Sequence, residues 1–280
     1  MATASIDHGF ELTGETSSLR RLIRDIWASR DLIRILSRKD FYVRYRRASF
    51  GVLWAVGLPL VQAVVLSVIF TKIVHVPLIR GGKGPYPVYV FSGILPWTFF
   101  SNAVSGGVTT ITDGNSIATR IYFPRALLPI VSVTSGMYGF MPGLLILIGL
   151  ALAFGVPFGI QLLWIIPAAA VMFALSTAFA LVLAGMQVYF RDMKHIIAAI
   201  MIPWFWASGV FFPLQNLGNL RRWVEMNPAT GMIQLYRAAF STAAPHFETA
   251  VWWTLGWTVA LLVAAALIHR RYDRVFVDLL

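Results

Sequence analysis

The chain has 280 residues, of which 58% are hydrophobic and 12% charged, and its mean hydropathy is +0.72. Soluble domains carry about 25% charged residues, so this composition indicates an integral membrane protein. The net charge of +11 lies in short blocks between long neutral stretches, which argues against a nucleic-acid partner. Cysteine is absent, which excludes disulfides, thiolate zinc sites and cysteine nucleophiles, and no other metal site is predicted.

Neutral stretches of the length needed to cross a hydrocarbon core, about 20 residues, recur along the chain. Glycine and proline at residues 155–159 supply the turn between two of them. The predicted spans cover residues 48–71, 88–112, 126–154, 160–190, 195–213 and 249–268. The sequence therefore predicts an all-α integral membrane protein with six transmembrane helices in a domain at residues 48–268.

Two further segments are predicted to lie in the membrane surface or to enter it partway. Residues 17–39 place apolar side chains, Trp27 among them, on one helical face, which is typical of an amphipathic helix in the inner-leaflet interface. This N-terminal helix is interpreted either as a packed elbow that anchors the first span or as a gate for a lipid-linked substrate. Residues 214–248 are too polar to cross and too apolar for a solvated loop, which predicts one or two short re-entrant or interfacial helices.

Orientation follows from the distribution of lysine and arginine. An even number of spans places both termini on one side, and 17 of the 23 lysines and arginines lie on that side. Because basic residues concentrate on the cytoplasmic side, residues 1–47 and the tail at 269–280 are predicted to be cytoplasmic.

A basic cluster formed by Arg44, Arg46 and Arg47 lies directly before the first span. Guanidinium groups bind phosphate oxygens through paired hydrogen bonds, so the cluster is a candidate site for a phosphate or diphosphate headgroup. Membrane topology alone also places basic residues at this point, and both interpretations stay open.

The predicted cytoplasmic connection between spans two and three mixes aromatic and basic residues. Its candidate contact residues are Arg120, Tyr122, Phe123, Pro124 and Arg125. Exposed aromatics beside arginine are typical of protein interfaces, so this segment is either a short helix that contacts a partner or a plain loop.

Spans two and five carry aromatic and small polar residues at a similar depth, about 10 to 18 Å below the predicted outer end. Aromatic rings can stack on the apolar faces of sugars, while hydroxyl and amide groups suit sugar hydroxyls. The alternative is that the aromatics pack within the helix bundle. The candidate glycan-path residues are Trp97, Phe99, Phe100, Ser101, Asn102, Trp204 and Trp206.

The predicted spans contain no Asp or Glu, so the carboxylate relay of an ion-coupled carrier is absent from them. Neither H-E-x-x-H nor G-x-S-x-G occurs, so protease and hydrolase motifs are missing as well. The energy for transport is therefore expected to come from another subunit.

The segment at residues 40–60, DFYVRYRRASFGVLWAVGLPL, resembles the approach to the first span in type-2 ABC exporter permeases that move polysaccharides and polyol phosphates. Residues 115–129 resemble the first cytoplasmic loop of that family. Arg191-Asp192, Asn227-Pro228 and Tyr236-Arg237 complete the pattern, and the resemblance covers residues 20–272.

This resemblance implies a homodimer of six-span subunits with two copies of a separate ATPase, which binds ATP and Mg while this chain carries no cofactor. It implies that residues 120–125 are the coupling helix seated on the ATPase, and that Arg44, Arg46 and Arg47 receive a polyprenyl diphosphate headgroup. The implied outer-gate residues are Asn227, Pro228, Tyr236 and Arg237.

The predicted function is that of a permease subunit, not an enzyme, in an ATP-driven exporter at the cytoplasmic membrane of a bacterium. Its predicted substrate is a polyprenyl-diphosphate-linked polysaccharide of the O-antigen, teichoic acid, capsule or cell-wall galactan type, and the motifs do not distinguish among these. The alternatives are a permease for a drug or small lipid and a membrane enzyme acting on polyprenyl lipids. The enzyme would require a catalytic acid or base in a span, where none is found.

Overall fold

The structure is a computed structural model that describes residues 24, 26–46, 48–73, 85–113, 125–157, 159–240 and 249–272. Every regular element within these residues is helical, which confirms the predicted all-α class. The helices are α1 (Arg30–Tyr45), α2 (Trp54–Val68), α3 (Tyr86–Val108), α4 (Thr110–Asp113), α5 (Leu127–Ala153), α6 (Ile165–Tyr189), α7 (Met193–Ala207), α8 (Arg221–Glu225), α9 (Pro228–Ala239) and α10 (Thr249–Tyr272).

Four helical stretches of the described chain are long and apolar enough to cross a membrane, so the protein is a multi-pass membrane protein. They are Gly51–Val68, Leu127–Ala153, Ile160–Tyr189 and Thr249–His269. A 3₁₀ turn leads into α2 and another into α6. These stretches correspond to predicted spans one, three, four and six. Between spans three and four the chain turns at Gly155, whose φ of 70° favours glycine.

Helix α3, the predicted second span, has 23 residues but is too polar to meet the same hydropathy criterion. It is the central helix of the fold, because α2, α5, α6, α7 and α9 all pack against it. A Cβ added at Gly107 would lie 2.6 Å from the Cβ of Ala180, so α3 and α6 approach closely there. Neighbouring helices, rather than lipid, cover α3, so it can carry hydroxyl and amide groups. Its crossing of the membrane remains a prediction.

Helix α7, the predicted fifth span, ends at Ala207, six residues earlier than predicted. The chain leaves the helix at Ser208 and Gly209, where glycine has a φ of 69°. With 15 residues, α7 is about 22 Å long, shorter than the hydrocarbon core. The neutral stretch in the sequence does not reveal this break, and a fifth crossing remains a prediction.

The N-terminal helix packs against the bundle. Helix α1 begins within the predicted segment 17–39 and continues to Tyr45, and residues 17–23 and 25 of that segment lie outside the described chain. The buried Ser37 Oγ donates a hydrogen bond of 3.1 Å to the carbonyl of Val131 on α5. Phe41 is also buried, with its ring centroid 5.7 Å from that of Tyr138. These contacts fit the packed elbow, while the placement of α1 in the interface remains a prediction.

Between α7 and α10 the chain forms a 3₁₀ turn, Leu214–Leu220, followed by the short helix α8 and then by α9. Helix α9 is buried along nearly its whole length against α3, α6 and α10. The two short helices agree with the predicted number, and residues 241–248 of the predicted segment lie outside the described chain. Whether the segment is re-entrant remains a prediction.

Candidate functional site

A cavity of about 370 Å³ opens between α1, the C-terminal end of α3 with α4, and the start of α5. Two cations, three hydroxyl groups and two carboxylates share it with four apolar side chains and a glycine. Its lining residues are Leu36, Lys39, Asp40, Val43, Arg44, Gly106, Thr109, Thr110, Asp113, Leu128, Val131 and Ser132. We call this cavity the lower cleft.

Arg44 is held within the lower cleft by a neighbour on its own helix. Its Nη2 atom lies 3.0 Å from Asp40 Oδ2, and both side chains are more than a third exposed. An exposed pair of this spacing contributes only about 0.3 to 0.5 kcal/mol. A phosphate group, which offers several charge-assisted hydrogen bonds, can therefore compete with Asp40 for Arg44.

Two further cavities adjoin the basic residues of α1. One, of about 480 Å³, is lined by Lys39, Tyr42, Val43 and Tyr45 of α1, by Arg46, and by Gly51 and Val52 of the turn into α2. The other, of about 40 Å³, also borders Arg44 and lies between α1, α2, α3 and α5. We call it the upper cleft; its remaining lining residues are Phe41, Tyr45, Ala55, Pro59, Leu95, Thr98, Phe99, Asn102, Gly136, Gly139 and Phe140.

The structure thus places the predicted headgroup residues Arg44 and Arg46 at adjacent cavities, while Arg47 lies outside the described residues. The sequence prediction missed Lys39, which borders both of the larger cavities. Helical periodicity could have identified it, because the spacing i, i+3, i+4, i+7, i+8 places five residues of α1 on one face. These residues are Leu36, Lys39, Asp40, Val43 and Arg44.

The predicted glycan-path residues do not share one surface. Trp97 and Phe100 are buried, and their ring centroids lie 6.1 and 5.4 Å from that of Trp204. Phe99 and Asn102 instead line the upper cleft, because positions two residues apart point about 200° apart around a helix.

The two remaining predicted path residues are partly exposed. Ser101 is half-buried, and Trp206 is 51% exposed while its ring packs on Phe211 at 4.7 Å. In this conformation Trp97, Phe100 and Trp204 form a closed aromatic cluster together with Phe179. Their role in a glycan path remains a prediction.

The predicted outer-gate residue Arg237 lies at the centre of a buried polar cluster. Its Nη1 donates a hydrogen bond of 2.8 Å to the carbonyl of Gly209, and its Nη2 donates to that of Val210. The guanidinium carbon lies 3.7 Å from the ring centroid of Tyr89, a cation–π geometry. A Cβ added at Gly93 would lie 3.1 Å from Nη2, so glycine leaves the room that this side chain occupies.

Asn227 joins this cluster to the aromatic rings. Its Oδ1 accepts a hydrogen bond of 2.8 Å from the indole nitrogen of Trp204 and one of 3.0 Å from the backbone of Ala229, which caps α9. Its Nδ2 donates to the carbonyl of Ala207 at 3.1 Å. The carbonyl of Pro228 accepts from Thr254 Oγ1 at 2.7 Å, which ties α9 to α10.

The last predicted gate residue, Tyr236, is fully buried with its ring 5.7 Å from that of Phe140. The structure therefore brings two of the four gate residues, Asn227 and Arg237, into contact with the backbone at and beyond the end of α7. Backbone of this kind is tolerated at membrane depth only where protein or a wet cavity satisfies its carbonyls, and Arg237 and Asn227 do so here. The sequence prediction missed the partners Tyr89, Gly209 and Thr254.

Most of the predicted coupling segment, including Arg120, Tyr122, Phe123 and Pro124, lies outside the described residues. Both flanks of this segment are anchored in the bundle. Ile111 on α4 is buried and packs with Ala184 of α6, and Val188 and Ile268 pack against the pair. Beyond the half-buried Arg125, Leu127 is fully buried at the start of α5.

Residues 31–241, which include both clefts and the polar cluster, match the profile of the family described as "ABC-2 type transporter". The match covers most of the chain, so this protein belongs to that family and is a transporter subunit rather than an enzyme. This confirms the resemblance found in the sequence.

The chain is also similar to curated permeases along most of its length. It is 28% identical over 225 residues to the O-antigen export system permease protein RfbA of Myxococcus xanthus, which covers 79% of this chain and 84% of the relative. It is 22% identical over 220 residues to the protein of the same name from Klebsiella pneumoniae, with coverages of 78% and 83%.

Proposed function

We propose that this chain is the permease subunit of an ATP-driven exporter that moves a polyprenyl-diphosphate-linked polysaccharide across the bacterial cytoplasmic membrane. The names of the two relatives support a polysaccharide substrate. The observation that carries the proposal is the lower cleft, in which Lys39 and Arg44 face the hydroxyl groups of Thr109, Thr110 and Ser132.

The chemistry of the lower cleft fits a lipid diphosphate. Lys39 and Arg44 offer charge-assisted hydrogen bonds to the phosphate oxygens, and the hydroxyls of Thr109 and Ser132 can donate further ones, while the Thr110 hydroxyl donates to the carbonyl of Gly107 at 2.7 Å. Leu36, Val43, Leu128 and Val131 offer an apolar wall for the first isoprene units. A volume of about 370 Å³ lies within the usual range for small-molecule sites.

The assembly we propose contains two copies of this chain and two ATPase subunits, which bind ATP and Mg. Residues 120–125 form the coupling contact, because the buried Ile111 and Leu127 on either side of their connection link it to α6 and α5. A push on this connection moves the helices that border the lower cleft. The cluster around Arg237 and Asn227 then acts as the outer gate, since it joins α3, α7, α9 and α10.

The purified chain alone is expected to show no ATP hydrolysis. Hydrolysis is expected once the ATPase subunit from the same genome is added. The check is phosphate release in proteoliposomes that contain the permease alone, the ATPase alone or both. Hydrolysis by the permease alone would contradict the two-component assembly. Hydrolysis that does not respond to the permease would contradict the coupling contact.

Removing the cations of the lower cleft is expected to weaken headgroup binding. Arg44→Gln and Lys39→Gln should each raise the half-saturating concentration of undecaprenyl diphosphate about tenfold, the loss of one charge-assisted hydrogen bond. The measurement is lipid-stimulated ATPase activity of the reconstituted complex.

The matched control is Arg222→Gln, which removes an exposed arginine from α8, outside the three cavities described above. This control should leave the half-saturating concentration unchanged. An equal shift in all three variants would reduce the effect to general surface charge and would contradict a site at α1.

A further inference from the structure

We infer that the upper cleft binds the sugar joined directly to the lipid diphosphate, with Asn102 as a specificity-determining residue. This inference rests on the proposed function, because it presupposes a diphosphate-linked glycan. The geometric basis is Arg44, which borders both clefts. A diphosphate held at Arg44 therefore has its attached sugar within reach of the upper cleft.

The linings of the two clefts differ in chemistry, and this difference assigns the ends of the substrate. The apolar side chains of the lower cleft lie beside its cations and hydroxyls, which suits a headgroup with the start of its prenyl chain. The upper cleft instead combines the Asn102 amide and the Thr98 hydroxyl with the rings of Phe99 and Phe140. A sugar needs both kinds of group, since its hydroxyls take hydrogen bonds while its C–H faces pack on aromatic rings.

Asn102 has the free hydrogen-bonding capacity that such a role requires. Among the described residues its side chain has no hydrogen-bond partner, and it is exposed to the space beside α3. It lies six residues before the end of α3 at Val108, about 9 Å along the helix. An amide without a partner is unfavourable in an apolar environment, so a wet or ligand-filled cleft is its favourable environment.

The upper cleft is nearly closed in this conformation. Its volume of about 40 Å³ is enough for a water molecule but not for a sugar. Gly136 and Gly139 let the helices approach, since a Cβ at Gly136 would lie 3.1 Å from Phe99 and one at Gly139 would lie 3.1 Å from Ala55. Sugar binding therefore requires α1 and α2 to separate from α5, which couples occupation of the cleft to helix movement.

The test compares two lipids on the reconstituted complex of permease and ATPase. One is undecaprenyl diphosphate without sugar, and the other is a set of undecaprenyl diphosphates that carry a single N-acetylglucosamine, galactose or glucose. For the intact permease at least one sugar-bearing lipid should stimulate ATP hydrolysis at a lower concentration than the bare lipid.

Asn102→Leu should raise the half-saturating concentration of the preferred sugar-bearing lipid about tenfold and leave that of the bare lipid unchanged. Thr98→Val should act in the same direction with a smaller shift. Ser105→Ala is the matched control, because Ser105 is exposed on the same helix but lines none of the three cavities described above.

Each other outcome would overturn the inference. Equal responses of the intact complex to bare and sugar-bearing lipids would show that the first sugar is not read at all. A uniform shift of both lipids in Asn102→Leu, or no shift, would show that Asn102 does not contact the sugar. A complex that responds to neither lipid would overturn the proposed function itself, which separates the two failures.

Discussion

Replacing Arg237 with leucine is expected to lower the free energy of unfolding by on the order of 3 kcal/mol, a large share of the stability of a folded protein. The guanidinium is buried and donates to the carbonyls of Gly209 and Val210. Each carbonyl left without a donor at that depth costs about 1 to 3 kcal/mol. The loss of the contact with the Tyr89 ring adds to this.

The measurement is thermal unfolding of the purified permease in lipid nanodiscs. Arg237→Lys keeps the charge but offers a single nitrogen in place of the two that reach the carbonyls, so it should fall between the native protein and Arg237→Leu. Arg222→Leu removes an exposed arginine of the same outer segment and should unfold within a few degrees of the native protein. If Arg237→Leu and Arg222→Leu unfolded at the same temperature, the polar cluster around Arg237 would not stabilise the fold as argued above.

The helical elements were predictable where hydropathy alone decides the structure. The predicted span 126–154 and helix α5 differ by one residue at each end, because a glycine turn follows directly. Helix α3 was located by its lack of charge, although burial among other helices rather than lipid explains its composition. The end of α7 was missed because no charge marks the change at Ser208 and Gly209.

The candidate site was predictable by residue type but not by arrangement. The sequence singled out Arg237, Asn227 and Trp204. Their hydrogen bonds, however, depend on the early end of α7, which only the tertiary structure reveals. It grouped Trp97 with Phe99 because depth was judged without helical phase, which separates the two rings onto different faces of α3. Lys39 and the three hydroxyl groups line the same lower cleft only because α1 packs against α5.

Exchange of Tyr122 and Phe123 for alanine is expected to reduce glycan export about tenfold or more, while expression and the hydrolytic activity of the ATPase persist. Aromatic side chains at the centre of an interface are typical hot spots, worth about 2 kcal/mol each. Without them the connection would no longer move with the ATPase. Hydrolysis would therefore continue, but it would not move α5 and α6. The measurement is export of labelled glycan and phosphate release from the same proteoliposomes.

The control for this pair is the double exchange of Tyr189 and Phe190 for alanine, at the turn between α6 and α7. These aromatics are 42% and 64% exposed, and on the predicted topology their turn faces the same side of the membrane. The turn is braced from within, since Gln187 Nε2 donates to the carbonyl of Arg191 and its Oε1 accepts from the backbone of Lys194. Loss of export only in the Tyr122 and Phe123 variant would support the segment between the buried flanks at Ile111 and Leu127 as the coupling contact. Equal loss in both variants would mean that the effect is not specific to this connection and would contradict its coupling role. Undiminished export in both would remove this connection from the mechanism.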